Sequence, residues 1–220
     1  SDDASGLAIA DKLRTQVTSI NQAVSNGNSA VALLQIADKS MAEQSKILDT
    51  VKAKLIQANT ATTSADGRES IRKDITKLLE QLDNIAQQTN YNGNYLLQLD
   101  ATSGAGATAS LEFQVGEKTS DMITMSAVQA NTTGLALTGL TGLTTSGTLT
   151  TTAAQTGQGS VDSAITTLNG YRGDIGSTQN QVESAVRNLM TQSTNIKAAE
   201  SVIRDVDYAE ESANFNKLNI

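Results

Sequence analysis

Apolar residues recur at every seventh position along the last third of the chain. Each step of seven falls on a branched aliphatic side chain, and the set is Val161, Leu168, Ile175, Val182, Leu189, Ile196 and Ile203. A strict seven-residue repeat gives a helix one narrow apolar stripe, and other helices must cover that stripe. The pattern therefore predicts a long helix, and it raises the question of which partner helices bury it.

A second long repeat occupies residues 3–60. Its apolar positions follow one seven-residue frame and a second, interleaved frame, and they are Leu13, Ile20, Leu34, Met41, Leu48 and Leu55, with Val17, Val24 and Val31 between them. The poor helix formers Ser25-Asn26-Gly27-Asn28-Ser29 interrupt this pattern and would suit a loop between two helices. The repeat keeps its phase across the interruption, so we predict one continuous helix.

A shorter helix is predicted over residues 66–88, where Asp66 and Glu69 have the spacing of a capping box. Its apolar residues are Ile71, Ile75, Leu78, Leu82 and Ile85. Three helices with matching stripes can bury one another within a single chain. We therefore predict an intramolecular seam made of Leu13, Val17, Ile20, Leu34, Leu48, Ile75, Leu82, Leu168, Ile175, Val182, Leu189, Ile196 and Ile203.

Two features outside the helices complete the predicted fold. Residues 111–115 and 122–126 alternate like the strands of a hairpin, and Asn92-Gly93 is typical of a tight turn. Residues 131–157 carry no charge and are rich in Thr and Gly, which suits a flexible or irregular exposed insert, short β structure or an O-glycosylated surface.

The predicted fold class is mostly α. It is an elongated antiparallel helical rod, or coiled-coil bundle, of two long helices and one shorter helix, with a small β-hairpin and a short Thr/Gly-rich insert. We predict one discontinuous rod domain made of residues 1–130 and 158–220, and a variable insert at residues 131–157.

Composition narrows the chemistry. The chain contains no His and no Cys, which removes the commonest general base, thiol catalysis and thiolate metal sites. A net charge of −7 argues against nucleic acid or an anionic membrane as a partner. The carboxylates of residues 205–211 have no EF-hand spacing and suit a solvated helix end better than a metal site. We therefore predict no enzymatic activity, no cofactor and no metal.

Four short motifs, at Asp2–Ala10, Gln88–Gly93, Phe113–Gly116 and residues 203–211, together resemble those of bacterial flagellins. The opening Asp2-Asp3-Ala4-Ser5-Gly6-Leu7-Ala8-Ile9-Ala10 is similar to a signature of that family, and Gln88-Thr89-Asn90-Tyr91-Asn92-Gly93 is similar to its Q-T-x-[FY]-N-G turn. Phe113-Gln114-Val115-Gly116 resembles its hairpin entry, and residues 203–211 resemble its I-x-D-x-D-[YF]-A-x-E segment. The motifs occur in the family's order.

The resemblance implies a short flagellin with a reduced variable region, lacking the extreme terminal helices that form the filament's inner tube. It implies a structural subunit that packs its rod domain beside other flagellin subunits in the extracellular filament. It also implies an export chaperone for the full-length chain and secretion through the flagellar export apparatus. Without the terminal helices we expect no polymerisation. The alternatives are a hook–filament junction protein and a secreted helical adhesin or effector.

The resemblance also concerns recognition by a vertebrate innate immune receptor. The family's central contact is an arginine in an L-x-R-V-[RK]-E-L stretch, which corresponds here to Leu48-Asp49-Thr50-Val51-Lys52-Ala53-Lys54. The arginine, glutamate and second leucine are replaced, so we expect the receptor to be bound weakly and activated poorly. The predicted, degenerate contact region is Thr50, Val51, Lys52, Ala53, Lys54, Gln57 and Asp74.

Overall fold

The computed structural model describes residues 2–219, and it describes side chains from residue 4 onward. About 70% of the chain is helical. The helices are α1 (Asp2–Ala58), α2 (Ala65–Gln88), α3 (Thr138–Thr141) and α4 (Thr151–Leu218). The strands are β1 (Asn90–Tyr91), β2 (Asn94–Tyr95), β3 (Leu111–Gln114) and β4 (Met122–Met125), paired β1 with β2 and β3 with β4. The predicted mostly α fold class is confirmed.

The chain forms two compact units. Unit 1 contains residues 1–31, 112–124 and 179–220, and unit 2 contains residues 32–111 and 125–178. Each unit therefore includes part of α1 and part of α4. The bounds of these two units differ from the predicted division into a rod domain and an insert at residues 131–157. That division stays a prediction.

In unit 1, α1 and α4 run antiparallel. The Ser193 hydroxyl donates to Asn21 Oδ1 at 3.2 Å, whereas Gly27, further along α1, lies beside Val186, which comes earlier in α4. Contacts that advance along one helix while receding along the other define antiparallel packing. Val17 and Ile20 on α1 and Val182 and Leu189 on α4 are buried in this unit.

The poor helix formers at residues 25–29 lie inside α1, which is continuous as predicted. Gly27 is buried, and a Cβ atom at this position would overlap the Val186 side chain and lie 3.8 Å from Val115 Cγ1. The neighbouring Asn26 donates its side-chain amide to the Gln114 carbonyl of β3 at 3.1 Å. Residues 25–29 therefore do not break the helix. They allow α1 to pack closely against α4 and bind the β3–β4 hairpin.

In unit 2, α4 and α2 each run antiparallel to α1. Arg172 donates to Asp38 at 2.9 Å, and Lys52, which is later in α1, pairs with Asp162, which is earlier in α4. Lys54 also reaches Asp74 of α2 at 3.0 Å, whereas Gln44, earlier in α1, donates to the carbonyl of Leu82, later in α2. The structure thus brings parts of the two long helices and the shorter helix together in this unit.

The predicted seam residues differ in burial along the chain. The buried ones are Val17, Ile20, Leu34, Leu48, Ile75, Leu82, Leu168, Ile175, Val182 and Leu189. Leu13, Ile196 and Ile203 are only half-buried. Each buried aliphatic side chain contributes about 1.5–3 kcal/mol relative to an exposed one. On α2 the buried residues include Leu79 and Ala86, in place of the predicted Leu78 and Ile85.

The predicted capping box of α2 is wrong. Ser64 is the N-cap, and its Oγ accepts from the Gly67 backbone N–H at 3.0 Å. Asp66 lies within the first turn, where a negative charge favours the helix dipole. Glu69 turns away from the helix end because Arg72 binds it through three hydrogen bonds, two from Nε at 3.0 and 3.1 Å and one from Nη2.

The Thr/Gly segment, residues 131–157, is irregular over most of its length before α4 begins, and the predicted short β structure does not occur in it. It contains α3 and the start of α4, and its leucines Leu135, Leu137, Leu140 and Leu149 are buried. Asp83 of α2 holds the segment by accepting from both the backbone N–H and the hydroxyl of Thr132 at 2.8 Å. Buried leucines and hydrogen bonds with charged side chains of α2 together determine how this segment packs.

Candidate functional site

The predicted receptor-contact residues lie along α1 and α2 within unit 2. Thr50, Ala53, Gln57 and Asp74 are exposed, and Lys52 and Lys54 are half-buried. We call these six residues the α1–α2 patch. Val51 is fully buried and points into the unit instead of joining this surface.

Both lysines of the α1–α2 patch are engaged in ion pairs within unit 2. Lys52 pairs with Asp162, and Lys54 pairs with Asp74 at 3.0 Å. These side chains are about one third to one half exposed, so each pair contributes little stability in water. The pairs nevertheless reduce the positive charge that the patch can offer to an acidic partner.

Thr50 presents a small neutral side chain on the same surface. Its hydroxyl donates to the Lys46 carbonyl of its own helix at 3.1 Å. A threonine that bonds its own backbone offers a partner little more than a methyl group. An arginine would instead offer a forked, charged donor that binds carboxylates through two hydrogen bonds.

A second charged cluster lies where α2 begins and fixes part of the Thr/Gly segment. Arg72 binds Glu69 and donates to the Leu143 carbonyl at 3.2 Å, while the Gly147 N–H donates to Glu69 at 3.4 Å. The hydrogen bonds from Arg72 lower the pKa of the Glu69 carboxyl. The Gly147 N–H and the charge of Arg72 lower it further, whereas burial opposes them.

The lowered pKa of Glu69 predicts a pH effect. Its contribution to stability is fully present above the ordinary pKa of a glutamate and is lost as the pH falls through the lower, folded-state value. Between neutral pH and about pH 3, Glu69→Gln should therefore lose less stability than the wild type. Denaturant unfolding at both pH values measures this. Glu80→Gln, at an exposed position on the same helix, should behave like the wild type. Equal losses for Glu69→Gln and the wild type would contradict the prediction.

Sequence reasoning missed a buried polar network in unit 2. Gln44 is fully buried and donates to the carbonyls of Leu82 at 3.1 Å and Ala130 at 2.7 Å. Gln98, also fully buried, accepts from the Asn131 side chain at 2.9 Å. Polar residues in these positions look exposed in a sequence, since nothing in the repeat marks them as buried.

Two further observations limit the chemistry of the described residues. Among the described side chains, which run from residue 4 to residue 219, no three carboxylates gather closely enough to hold a metal ion. Asp205 instead accepts a hydrogen bond from Ser201, and Arg204 pairs with Glu200 at 3.0 Å. Within the same residues, no helix combines the length and the apolar composition needed to cross a lipid bilayer.

Comparison with protein families gives two matches along the chain. The bacterial flagellin N-terminal helical region matches residues 1–102, and the bacterial flagellin C-terminal helical region matches residues 159–220. This chain belongs to the bacterial flagellin family. The opening motif, the turn at residues 88–93 and the motif at residues 203–211 lie inside the matched regions, so this recognition from sequence is confirmed.

Individual flagellins resemble the chain to different extents. Flagellin A of Helicobacter mustelae is 44% identical over 127 residues, which are 56% of this chain and 26% of that protein. The flagellar filament 30.7 kDa core protein of Treponema maltophilum is 29% identical over 221 residues, which are 100% of this chain and 78% of that protein. The crystal structure of Bacillus cereus flagellin shares a TM-score of 0.63 and 29% identity, covering 80% of this chain and 94% of that one.

The chain spans about a quarter of the length of the Helicobacter flagellins that it matches. The Treponema core protein differs, since most of its length is matched. The compact Thr/Gly segment lies between the two matched regions, which end at residue 102 and resume at residue 159. The hairpin motif at residues 113–116 lies in the same unmatched interval.

Proposed function

We propose that this flagellin is a structural subunit of the extracellular flagellar filament and packs beside other copies of itself. The observation that supports this best is the likeness to the Treponema filament core protein over the whole of this chain. Within each unit, α1 and α4 pack antiparallel around an aliphatic core. Such an arrangement offers its outer faces to neighbouring subunits while its inner faces remain packed. Flagellins are structural proteins, which agrees with the predicted lack of enzymatic activity.

Immunogold electron microscopy of the source bacterium tests this proposal against its alternatives. An antibody raised against the 220-residue chain should label the filament along its whole length. Label confined to the base of the filament would favour a hook–filament junction protein. Label on the cell surface or in the medium, with unlabelled filaments, would favour an adhesin or effector. The expectation that the 220-residue chain alone does not polymerise stays a prediction, which negative-stain microscopy of the purified chain can check.

A filament subunit must be exported from the cell. Export through the flagellar apparatus, with a chaperone for the full-length chain, is part of the proposal. A strain without a working flagellar export channel should therefore retain the protein inside the cell. Normal amounts in the medium of that strain would contradict this route.

We also propose that the α1–α2 patch is a poor ligand for the vertebrate innate receptor of flagellins. Three features support this. Thr50 is neutral, Lys52 and Lys54 form ion pairs with Asp162 and Asp74 of the same unit, and Val51 is buried. A receptor surface that binds a flagellin arginine would find neither a forked cation nor an apolar anchor here. Its own polar groups would lose water without gaining partners.

Restoring the family's side chains should restore receptor activation. In the full-length protein, Thr50→Arg together with Ala53→Glu and Lys54→Leu should raise potency in a receptor reporter assay by roughly tenfold or more. Thr166→Arg is the matched control, because Thr166 is also an exposed helical threonine that bonds its own helix. Full potency of the unmodified protein, or no gain from the triple substitution, would contradict the proposal.

A further inference from the structure

The chain contains the dipeptide Asn-Gly three times, at Asn26-Gly27, Asn92-Gly93 and Asn169-Gly170. The structure places the three copies in different backbone settings. The first lies inside α1 with Gly27 buried, the second forms an exposed turn, and the third lies exposed inside α4. Because the two residues are the same in each copy, differences in reactivity between the three sites reflect their backbone conformation.

We propose that Asn92 is a site of spontaneous modification, at which its amide is converted to a carboxylate by deamidation. In this reaction the Gly93 backbone nitrogen loses its proton and attacks the Asn92 side-chain carbonyl carbon, Cγ. A new N–Cγ bond forms, the Cγ–Nδ2 bond breaks, and ammonia leaves. Water then opens the resulting five-membered imide to aspartate or, through the other carbonyl, to isoaspartate. Water is the only co-reactant, and no group is oxidised or reduced.

Attack requires that the glycine nitrogen be free to approach the preceding side chain. At Gly27 and Gly170 the backbone N–H belongs to a helix, where it donates to the carbonyl four residues earlier. Reaction at either site requires local opening of a long helix. Glycine leaves the asparagine side chain room to reach the backbone nitrogen, which a larger residue would block. In these two copies, however, the helix holds that nitrogen in place.

The Asn92-Gly93 copy is free of a helix. Pairing of Asn90 with Tyr95 and of Tyr91 with Asn94 leaves a two-residue turn. Asn92 has a φ of 51° and Gly93 a φ of 81°, as in the type I′ hairpin turn. Both residues are exposed, and a Cβ at Gly93 would meet nothing within 4 Å. A pair of two-residue strands opens far more readily than the interior of a 57- or 68-residue helix.

One hydrogen bond slows the reaction at Asn92. The Gly93 N–H, which is the attacking group, donates to the Asn90 side-chain oxygen at 3.3 Å. Asn90 is itself fixed by donation to the Gln88 carbonyl at 3.0 Å. The attack must break the hydrogen bond from the Gly93 N–H to Asn90, so Asn90 slows the deamidation of Asn92. The product carries a new negative charge, and isoaspartate adds a backbone carbon to the turn.

Peptide mapping of the native chain tests the proposal, because trypsin separates the three copies into residues 15–39, 78–118 and 119–172. After prolonged incubation in mildly alkaline buffer, deamidation at Asn92 should exceed that at Asn26 or Asn169 by at least about tenfold. In the urea-unfolded chain the three rates should converge. Asn92→Asp supplies the chromatographic standard for the aspartate product.

The native rates decide the outcome. Equal or faster reaction at Asn169 or Asn26 would overturn the proposal. So would a native Asn92 that stays unmodified over a period in which all three sites react in urea. Asn90→Ala should accelerate the native reaction at Asn92 by about twofold to tenfold, the factor expected for one lost hydrogen bond. An unchanged rate would overturn the role given to Asn90.

Discussion

Replacing Leu168 by alanine is expected to destabilise unit 2 by about 2–5 kcal/mol. Leu168 is fully buried on α4 and is the second position of the seven-residue repeat. Truncation removes the burial of most of the side chain and leaves a cavity that the surrounding helices fill only in part. The cost is a large share of the stability of an ordinary domain.

Denaturant unfolding followed by far-ultraviolet circular dichroism measures this loss, and hydrogen exchange assigns it to unit 2. Leu99→Ala is the control, because Leu99 lies in the same unit and is 56% exposed, so its replacement should change stability by no more than about 0.5 kcal/mol. The loss at Leu168 should not depend on protein concentration. A loss that grows on dilution would mean that the repeat is covered by a second copy instead of by the chain's own helices.

Most of the helical framework could be predicted from sequence because the seven-residue repeat is a direct record of helix packing. It located α1, α2 and α4 and identified Leu48, Leu82 and Leu168 as core positions. It overestimated burial at Ile196 and Ile203, which are half-buried. A repeat reports that a stripe is apolar, but the number of helices that cover it depends on where the other segments end.

The remaining errors have local physical causes. Asp66 and Ser64 are both good caps, and only the backbone path decides that Ser64 is the N-cap. The Thr/Gly segment looked exposed because its leucines follow neither a helical nor a strand period. Its fixed shape depends on partners distant in sequence, such as Asp83. The α1–α2 patch could be located from the family motif, but the pairing of Lys52 with Asp162 joins residues 110 positions apart.

Adding one methyl group at Gly27 should have the opposite effect from adding one at Gly170. Gly170 is exposed inside α4, where a Cβ atom would meet nothing within 4 Å. Gly170→Ala should therefore stabilise the protein by about 0.5–1 kcal/mol, the ordinary advantage of alanine over glycine in a helix. Gly27→Ala gains the same advantage, but its Cβ overlaps the Val186 side chain.

Overlap in a packed seam costs about 1–3 kcal/mol, which outweighs the gain in helix propensity. We therefore expect net destabilisation of unit 1 by Gly27→Ala, and a larger loss for Gly27→Val, which adds a branched side chain at the same point. Val186 is only 8% exposed, so it has little room to move aside. Hydrogen exchange should locate the loss in unit 1, whereas the effect of Gly170→Ala should appear in unit 2.

A double-substitution cycle identifies Val186 as the cause. In a Val186→Ala background the overlapping methyl groups are gone, so adding Gly27→Ala should cost little or should stabilise unit 1. The two substitutions would then show a favourable coupling of about 0.5–3 kcal/mol, as expected for residues in contact. If Gly27→Ala alone stabilised the protein as much as Gly170→Ala, the seam would have to yield freely at this point. Glycine at position 27 would then have no packing role, and the placement of poor helix formers at residues 25–29 would depend on the bond from Asn26 to the hairpin alone.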